Sequence, residues 1–207
     1  YFTQVLNSKV AENMINAFWF QLNAIKQGNS RPEGFATSKV NKVGMIGAGM
    51  MGAGIAYVSA LSGIEVVLAD VSKEAAEKGK AYADKILSKK VQRGGMNEEQ
   101  KAAILQRIQT TNSTSDFSDC DLVVEAVFEN RMLKNKVVKE TELYIPETAV
   151  FASNTSTLPI TGLAEASSRP ANFIGLHFFS PVDKMKLVEI IIGEATSKET
   201  LARAFDY

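Results

Sequence analysis

The stretch 43-VGMIGAGMMGAGIA-56 decides the fold. It opens on a short apolar run that reads as a strand and closes on residues that read as a helix. Gly47, Gly49 and Gly52 stand between them. A strand that turns directly into a helix through glycines at this spacing carries the fingerprint of a dinucleotide-binding turn. Gly47 permits the tight turn, Gly49 lets the backbone approach a diphosphate, and Gly52 lets helix and strand pack closely. The helix N-terminus then offers unpaired N–H groups and the positive end of its dipole to the phosphates. Glycine-rich turns are common, so the triplet alone is a weak signal.

Its context is stronger. Asp70 stands twenty-one residues after Gly49, at the end of the next strand candidate. A carboxylate there accepts both ribose hydroxyls of an adenosine and repels a 2′-phosphate. No arginine follows in 71-VSKEA-75 to neutralise one, which favours NAD over NADP. The competing reading of Asp70 is a helix N-cap before 72-SKEAAEKGK-80. FAD uses the same fingerprint and is disfavoured by the residues downstream.

From Lys42 onward, apolar runs alternate with helical patterns. Strands are expected at 43–47, 65–70, 107–111, 121–127, 149–153, 173–177 and 187–192, and helices near 50–62, 72–92, 97–106 and 130–143. The early strands are short and lack clean alternation, as strands buried on both faces of a parallel sheet do. The expected class is α/β, a Rossmann-type doubly wound, mostly parallel sheet. Two helices instead of one lie between the second and third strands, turned by 94-GG-95, with Asn97 and Gln100 as a capping pair. They form a helical-hairpin insertion. The last residues, 198-KETLARAFDY-207, also read as helical.

Residues 1–27 place Phe2, Leu6, Val10, Met14, Phe18, Leu22 and Ile25 on one apolar helix face, widened by Val5, Ile15 and Trp19. Such a helix packs either on another domain or on this chain's own core. Residues 28–41, beginning 28-GNSRPEG-34, read as a linker, and 42–207 as the dinucleotide-binding domain. The chain starts at Tyr1 and ends inside a helical pattern, so the expectation is a piece of a longer polypeptide.

Composition bounds the rest. Lys plus Arg (23) balances Asp plus Glu (23), which leaves no basic footprint for nucleic acid or an anionic membrane. No apolar run reaches the roughly 20 residues that span a bilayer, and the start shows no signal-peptide pattern. One cysteine, Cys120, rules out an internal disulfide and a thiolate metal site, so no metal is expected.

Chemistry gathers in 123-VVEAVFENRMLK-134, 151-FASNTSTLP-159 and 174-IGLHFFSPVDKMKLVEII-191. Ligands of a doubly wound sheet sit outside the carboxyl ends of its strands. Glu129, Ser156 and His177 follow or end the fourth, fifth and sixth strand candidates, so all three are expected to open onto the cofactor crevice. Glu189 lies on the seventh, where a hairpin through Ser180-Pro181 returns it to the imidazole. Oxidising a secondary alcohol with NAD needs a base near neutral pKa for the hydroxyl proton, and histidine is that base. A carboxylate on its other nitrogen fixes the tautomer and stabilises the imidazolium. A lone histidine on an apolar strand is more often a core residue. The strand-end position after a dinucleotide fingerprint reverses that balance.

Through GAGMMG, VVEAVFEN, ASNTST and HFFSPV followed by MKLVEII, the chain from about Lys42 onward resembles the NAD-binding domain of L-3-hydroxyacyl-CoA dehydrogenases. It resembles most the form within multifunctional fatty-acid β-oxidation α-subunits, which also carry an enoyl-CoA hydratase domain upstream. The helical hairpin is a feature of that family, and the segment before 28-GNSRP-32 resembles its linker helix. The resemblance implies NAD-dependent oxidation of L-3-hydroxyacyl-CoA to 3-oxoacyl-CoA. It makes His177 the base, Glu189 its partner and Ser156 the holder of the substrate oxygen. Gly47, Gly49, Met51 and Gly52 then lie at the diphosphate and Asp70 on the ribose. Val127, Phe128, Glu129 and Lys134 then contact the nicotinamide half, with Ser156 near the nicotinamide and Ser180 as a further cofactor contact.

Two departures qualify this. Ser180 stands where the family often has asparagine, and serine has the shorter reach. The family's helical C-terminal domain has no counterpart in the 207 residues, so the expectation is a chain that binds NAD but turns over little. Lys73, Lys78, Lys80, Lys85, Lys89, Lys90 and Arg93 crowd the hairpin as either a solvated face or a site for coenzyme A phosphates. Implied partners are an acyl-CoA substrate and, for the parent, a second copy or a thiolase subunit. Implied setting is a bacterial cytoplasm, with mitochondrion or peroxisome as alternatives. The rival functions are a stand-alone 3-hydroxybutyryl-CoA or other hydroxyacid dehydrogenase, and a non-catalytic protein on the same fold.

Overall fold

The computed structural model describes all 207 residues and divides into two units, Tyr1–Phe35 and Ala36–Tyr207. The first consists of α1 (Phe2–Leu6), α2 (Lys9–Ile15) and α3 (Leu22–Lys26), with a π-helical stretch, Asn16–Gln21, joining α2 to α3. The single helix expected over 1–27 is therefore broken at Asn7–Ser8. The cause is local: Ser8 Oγ accepts the Ala11 N–H at 3.1 Å and caps a new helix. Phe18, Trp19 and Phe20 stay exposed.

The second unit runs β1 (Lys42–Ile46), α4 (Met50–Leu61), β2 (Glu65–Ala69), α5 (Lys73–Gln92), α6 (Glu98–Gln106) and β3 (Ile108–Thr111). It continues through β4 (Leu122–Glu125), α7 (Arg131–Thr141), β5 (Val150–Ser153), α8 (Ile160–Ala164), β6 (Phe173–Phe178), β7 (Val188–Ile191) and α9 (Lys198–Asp206). The strand order is β3-β2-β1-β4-β5-β6-β7, parallel from β3 to β6, with β7 antiparallel to β6. This is the doubly wound, mostly parallel sheet the sequence predicts.

Both faces of the sheet are covered, which explains the unbroken apolar runs. Val66 and Leu68 enter the core that holds Ile55, Leu87, Ile104 and Leu176. Val67 and Ala69, between them, enter the opposite core with Phe117, Phe151, Leu163 and Phe173. Alternate residues of one strand thus feed two separate cores.

The chain winds from β1 outward to β3, then returns to the other side of β1 as β4. That reversal opens a crevice at the carboxyl ends of β1 and β4. Gly47 makes the turn there at φ 91°, and a Cβ on it would come within 2.8 Å of the Ala126 carbonyl oxygen after β4. A Cβ on Gly52 would run into the carbonyl oxygen of Gly47. Only glycine fits either position.

The insertion is the α5–α6 pair. Gly94 turns it at φ 73°, and Asn97 and Gln100 form the reciprocal capping box, with side chain to backbone distances of 2.8 and 3.0 Å. The apolar face of α5, Ala76, Gly79, Ala83 and Leu87, is buried. Helix α8 was not expected, since 160-ITGLA-164 holds a threonine and a glycine and spans little more than one turn. No helix is long and apolar enough to cross a membrane.

Candidate cofactor and catalytic site

Two cavities open over the carboxyl ends of the strands and share Met51, Ala126 and Val127, so they form one crevice. The larger, about 670 Å³, is lined by the glycine loop, Asp70, Val71, Phe128, Leu133 and Val137. The smaller, about 300 Å³, is lined by Glu129, Asn154, Ser156, His177, Phe179 and Ser180.

Asp70 leaves the end of β2 beside the glycine loop. Its Oδ2 accepts the Ala48 N–H at 2.6 Å and its Oδ1 accepts the Val71 N–H at 2.7 Å. Each oxygen keeps a further lone pair for a ribose hydroxyl. The competing N-cap role falls to Ser72, whose side chain accepts from Ala75 N. Asp70 therefore steadies the loop and faces the cavity at once.

The start of α4 suits a diphosphate. Gly49 is the N-cap, in extended backbone, and no side chain caps the helix. A Cβ on Gly49 would meet nothing within 4 Å, so the approach to the first turn is open. N–H groups and dipole face that opening. Met51 and Val127 lie where the two cavities join, and Phe128 is exposed beside the glycine loop.

His177 and Glu189 are direct partners across the β6–β7 ladder. Nδ1 of His177 lies 2.8 Å from Oε2 of Glu189. A carboxylate at Nδ1 holds a proton on that nitrogen and leaves Nε2 as the acceptor. The Phe179 ring, with its centroid 4.6 Å from the imidazole's, packs beside it.

Glu129 organises the loop that carries Ser156. Its Oε1 accepts the N–H of Ser156 at 3.0 Å and of Thr157 at 3.1 Å, and the hydroxyls of Thr155 and Thr157. Burial works to raise its carboxyl, but these donors and the Lys134 ammonium outweigh it and hold it at about 2. Ser156 thus reaches the cavity on a backbone fixed by Glu129.

Lys134 is placed differently from the sequence expectation. Its side chain is 1% exposed, and Nζ sits 3.0 Å from Glu125 and 3.3 Å from Glu129. It lies beneath the crevice and lines neither cavity, because α7 folds it back onto the end of β4. Ser180 does line the smaller cavity, and its Oγ reaches across to Met50 Sδ at 3.7 Å.

Sequence reasoning missed two residues. Glu125 ends β4 with its side chain 1% exposed, held by Lys134, Ser153 and the Val127 N–H. Burial pushes its carboxyl up, against those donors. A carboxylate closing an otherwise apolar strand was the available signal, since it requires partners. Asn154 ties β5 to β6 by accepting the Phe178 N–H at 2.8 Å on Oδ1, and nothing in 151-FASNTST-157 singles it out.

Residues 42–207 match the family described as 3-hydroxyacyl-CoA dehydrogenase, NAD binding domain. The chain belongs to this family. The family and the Asp70 pocket agree on NAD as the cofactor. A protein named fatty acid oxidation complex subunit alpha, from Pseudomonas entomophila, is 39% identical over 206 residues, 100% of this chain and 28% of its own length. A probable 3-hydroxybutyryl-CoA dehydrogenase from Deinococcus radiodurans is 48% identical over 77% of this chain and 57% of its own length. The crystal structure of (S)-3-hydroxybutyryl-CoA dehydrogenase from Ralstonia eutropha superposes with a TM-score of 0.77 at 40% identity, over 81% of this chain and 62% of that one. The chain spans about a quarter of the length of the alpha-subunit relatives.

Proposed function

We propose that this chain is the cofactor-binding part of a dehydrogenase that oxidises L-3-hydroxyacyl-CoA to 3-oxoacyl-CoA with NAD. One observation carries the reading: the His177–Glu189 pair, 2.8 Å apart, on the wall of a cavity that also holds Ser156 and joins the glycine-loop cavity. When bound, NAD supplies the hydride acceptor. His177 Nε2 takes the proton of the substrate hydroxyl while Glu189 stabilises the charge that develops on the ring. Ser156 holds the substrate oxygen in line, on a loop that Glu129 fixes. Asp70 selects the unphosphorylated ribose, and Val127, Phe128 and Ser180 border the path toward the nicotinamide end. Lys134 acts through Glu129 instead of touching the cofactor.

We assign the parent to the fused, alpha-subunit form, with a hydratase part and a thiolase or second copy as partners, in a bacterial cytoplasm. The match to the Pseudomonas relative supports this, because it runs through residues 1–41 as well as the NAD-binding domain. The similarity to the Deinococcus protein supports the second reading, a short-chain 3-hydroxybutyryl-CoA enzyme. Turnover, in this account, needs more of the polypeptide than these residues. The test follows NADH absorbance with 3-hydroxyacyl-CoA thioesters of several chain lengths. An alpha-subunit-length protein carrying this domain should oxidise them, with His177→Gln lowering the rate by about 10²- to 10⁴-fold. Undiminished turnover in that variant would refute the assignment.

A further inference from the structure

We propose that the Glu125–Lys134–Glu129 network gives the His177 cavity one uncompensated negative charge, which favours oxidised over reduced nicotinamide. The inference rests on the reading above that NAD lies in the crevice with its nicotinamide toward His177.

The charge count follows from geometry. Lys134 Nζ is 3.0 Å from both oxygens of Glu125 and 3.3 Å from Oε2 of Glu129. The remaining neighbours of the Glu125 oxygens are also donors: the Val127 N–H at 3.3 Å and the Ser153 hydroxyl, whose oxygen itself accepts the Thr155 N–H at 3.3 Å. With the Lys134 ammonium on both of its oxygens and the Val127 N–H beside them, Glu125 is counted as the carboxylate of a buried ion pair. Glu129 Oε1 is likewise surrounded by two N–H groups and two hydroxyls. Two carboxylates share one ammonium, which leaves one negative charge.

That charge reaches the cavity at Glu129. The side chains of Lys134 and Glu125 are each 1% exposed, whereas that of Glu129 is 36% exposed and lines the cavity wall. No lysine or arginine lines that cavity to cancel it. The other carboxylate at hand, Glu189, meets an imidazole that is uncharged while it serves as the base, so it adds to the negative field instead of cancelling it. Oxidised nicotinamide carries a positive ring and the reduced form is neutral, so a partly desolvated carboxylate discriminates between them by charge alone. Glu129 and Glu189 then divide the work: one favours the cation of the cofactor, the other the cation that forms on His177.

The test measures dissociation constants of NAD⁺ and NADH by calorimetry on the 207-residue chain and three variants. Glu129→Gln keeps the shape and removes the charge. Glu125→Gln removes the same charge from a residue that does not reach the cavity. Asp70→Ala acts at the adenosine end. The ratio Kd(NAD⁺)/Kd(NADH) should rise about tenfold in Glu129→Gln and in the same direction in Glu125→Gln. Asp70→Ala should weaken both forms by the same factor. The wild-type ratio should also rise with ionic strength, a readout that needs no variant to fold. An unchanged ratio in a folded glutamine variant, or a wild-type ratio indifferent to salt, overturns the inference while an Asp70→Ala loss leaves the site reading intact. Retention of full affinity by Asp70→Ala would remove the site reading and this inference with it.

Discussion

His177 and Glu189 face each other across the one antiparallel pairing of the sheet, with Nδ1 and Oε2 2.8 Å apart. Every other strand pair is parallel. The reversal at β7 is what returns a carboxylate to the imidazole only twelve residues later in the chain. The chain has a single histidine, so one imidazole spin system reports on the pair. Nitrogen NMR should find the proton of the neutral ring on Nδ1, and Glu189→Gln should shift the population toward the other tautomer. An unchanged tautomer ratio would mean that the pair does not set the ring.

The glycine loop separates packing from binding. Gly52→Ala forces a methyl into the Gly47 carbonyl, a backbone atom that cannot rotate away. It should cost at least about 2 kcal/mol in urea unfolding. Gly49→Ala meets open space and should fold normally, while its methyl occupies the approach to the helix N-terminus. NAD affinity should fall at least about tenfold there. Equal stability losses in the two variants would contradict the placement.

Most of this arrangement is legible in the residues. Glycine, an apolar strand and a carboxylate at fixed spacing have few physical readings, and Asp70 stands where that spacing puts it. His177 was harder, because only its position at a strand end separates a base from a core residue. Lys134 was placed toward the nicotinamide by the family resemblance alone, and its burial has no signal in the residues around it. Only three-dimensional packing shows that the carboxylates of Glu125 and Glu129 draw it under the surface. The break at Asn7–Ser8 had a local signal in Ser8, overridden by the continuous apolar periodicity around it.

Lys134→Met tests that buried pairing. It leaves two carboxylates without their cation, one of them in a side chain 1% exposed. The expected loss is about 3–5 kcal/mol. Lys134→Met combined with Glu125→Gln should recover part of it. A loss below about 1 kcal/mol in chemical denaturation would show that the pair contributes little.

Acid should act through Glu129. Its carboxyl is held at about 2 in the folded chain, below its ordinary value of 4.5, so the unfolded chain takes the proton first as pH falls. The stability it contributes is complete above about 4.5 and is lost as pH drops toward 2. The stability difference between wild type and Glu129→Gln should therefore be flat above pH 5 and shrink through that acid window. A difference that grows on acidification has the wrong sign for this network.

The most direct test of the central claim is calorimetric titration of the chain with NAD and NADP, repeated on Asp70→Ala. The account predicts saturable NAD binding, much poorer NADP binding, and a loss of at least about tenfold for NAD on removal of the carboxylate. Equal binding of the two nucleotides, untouched by Asp70→Ala, would contradict it.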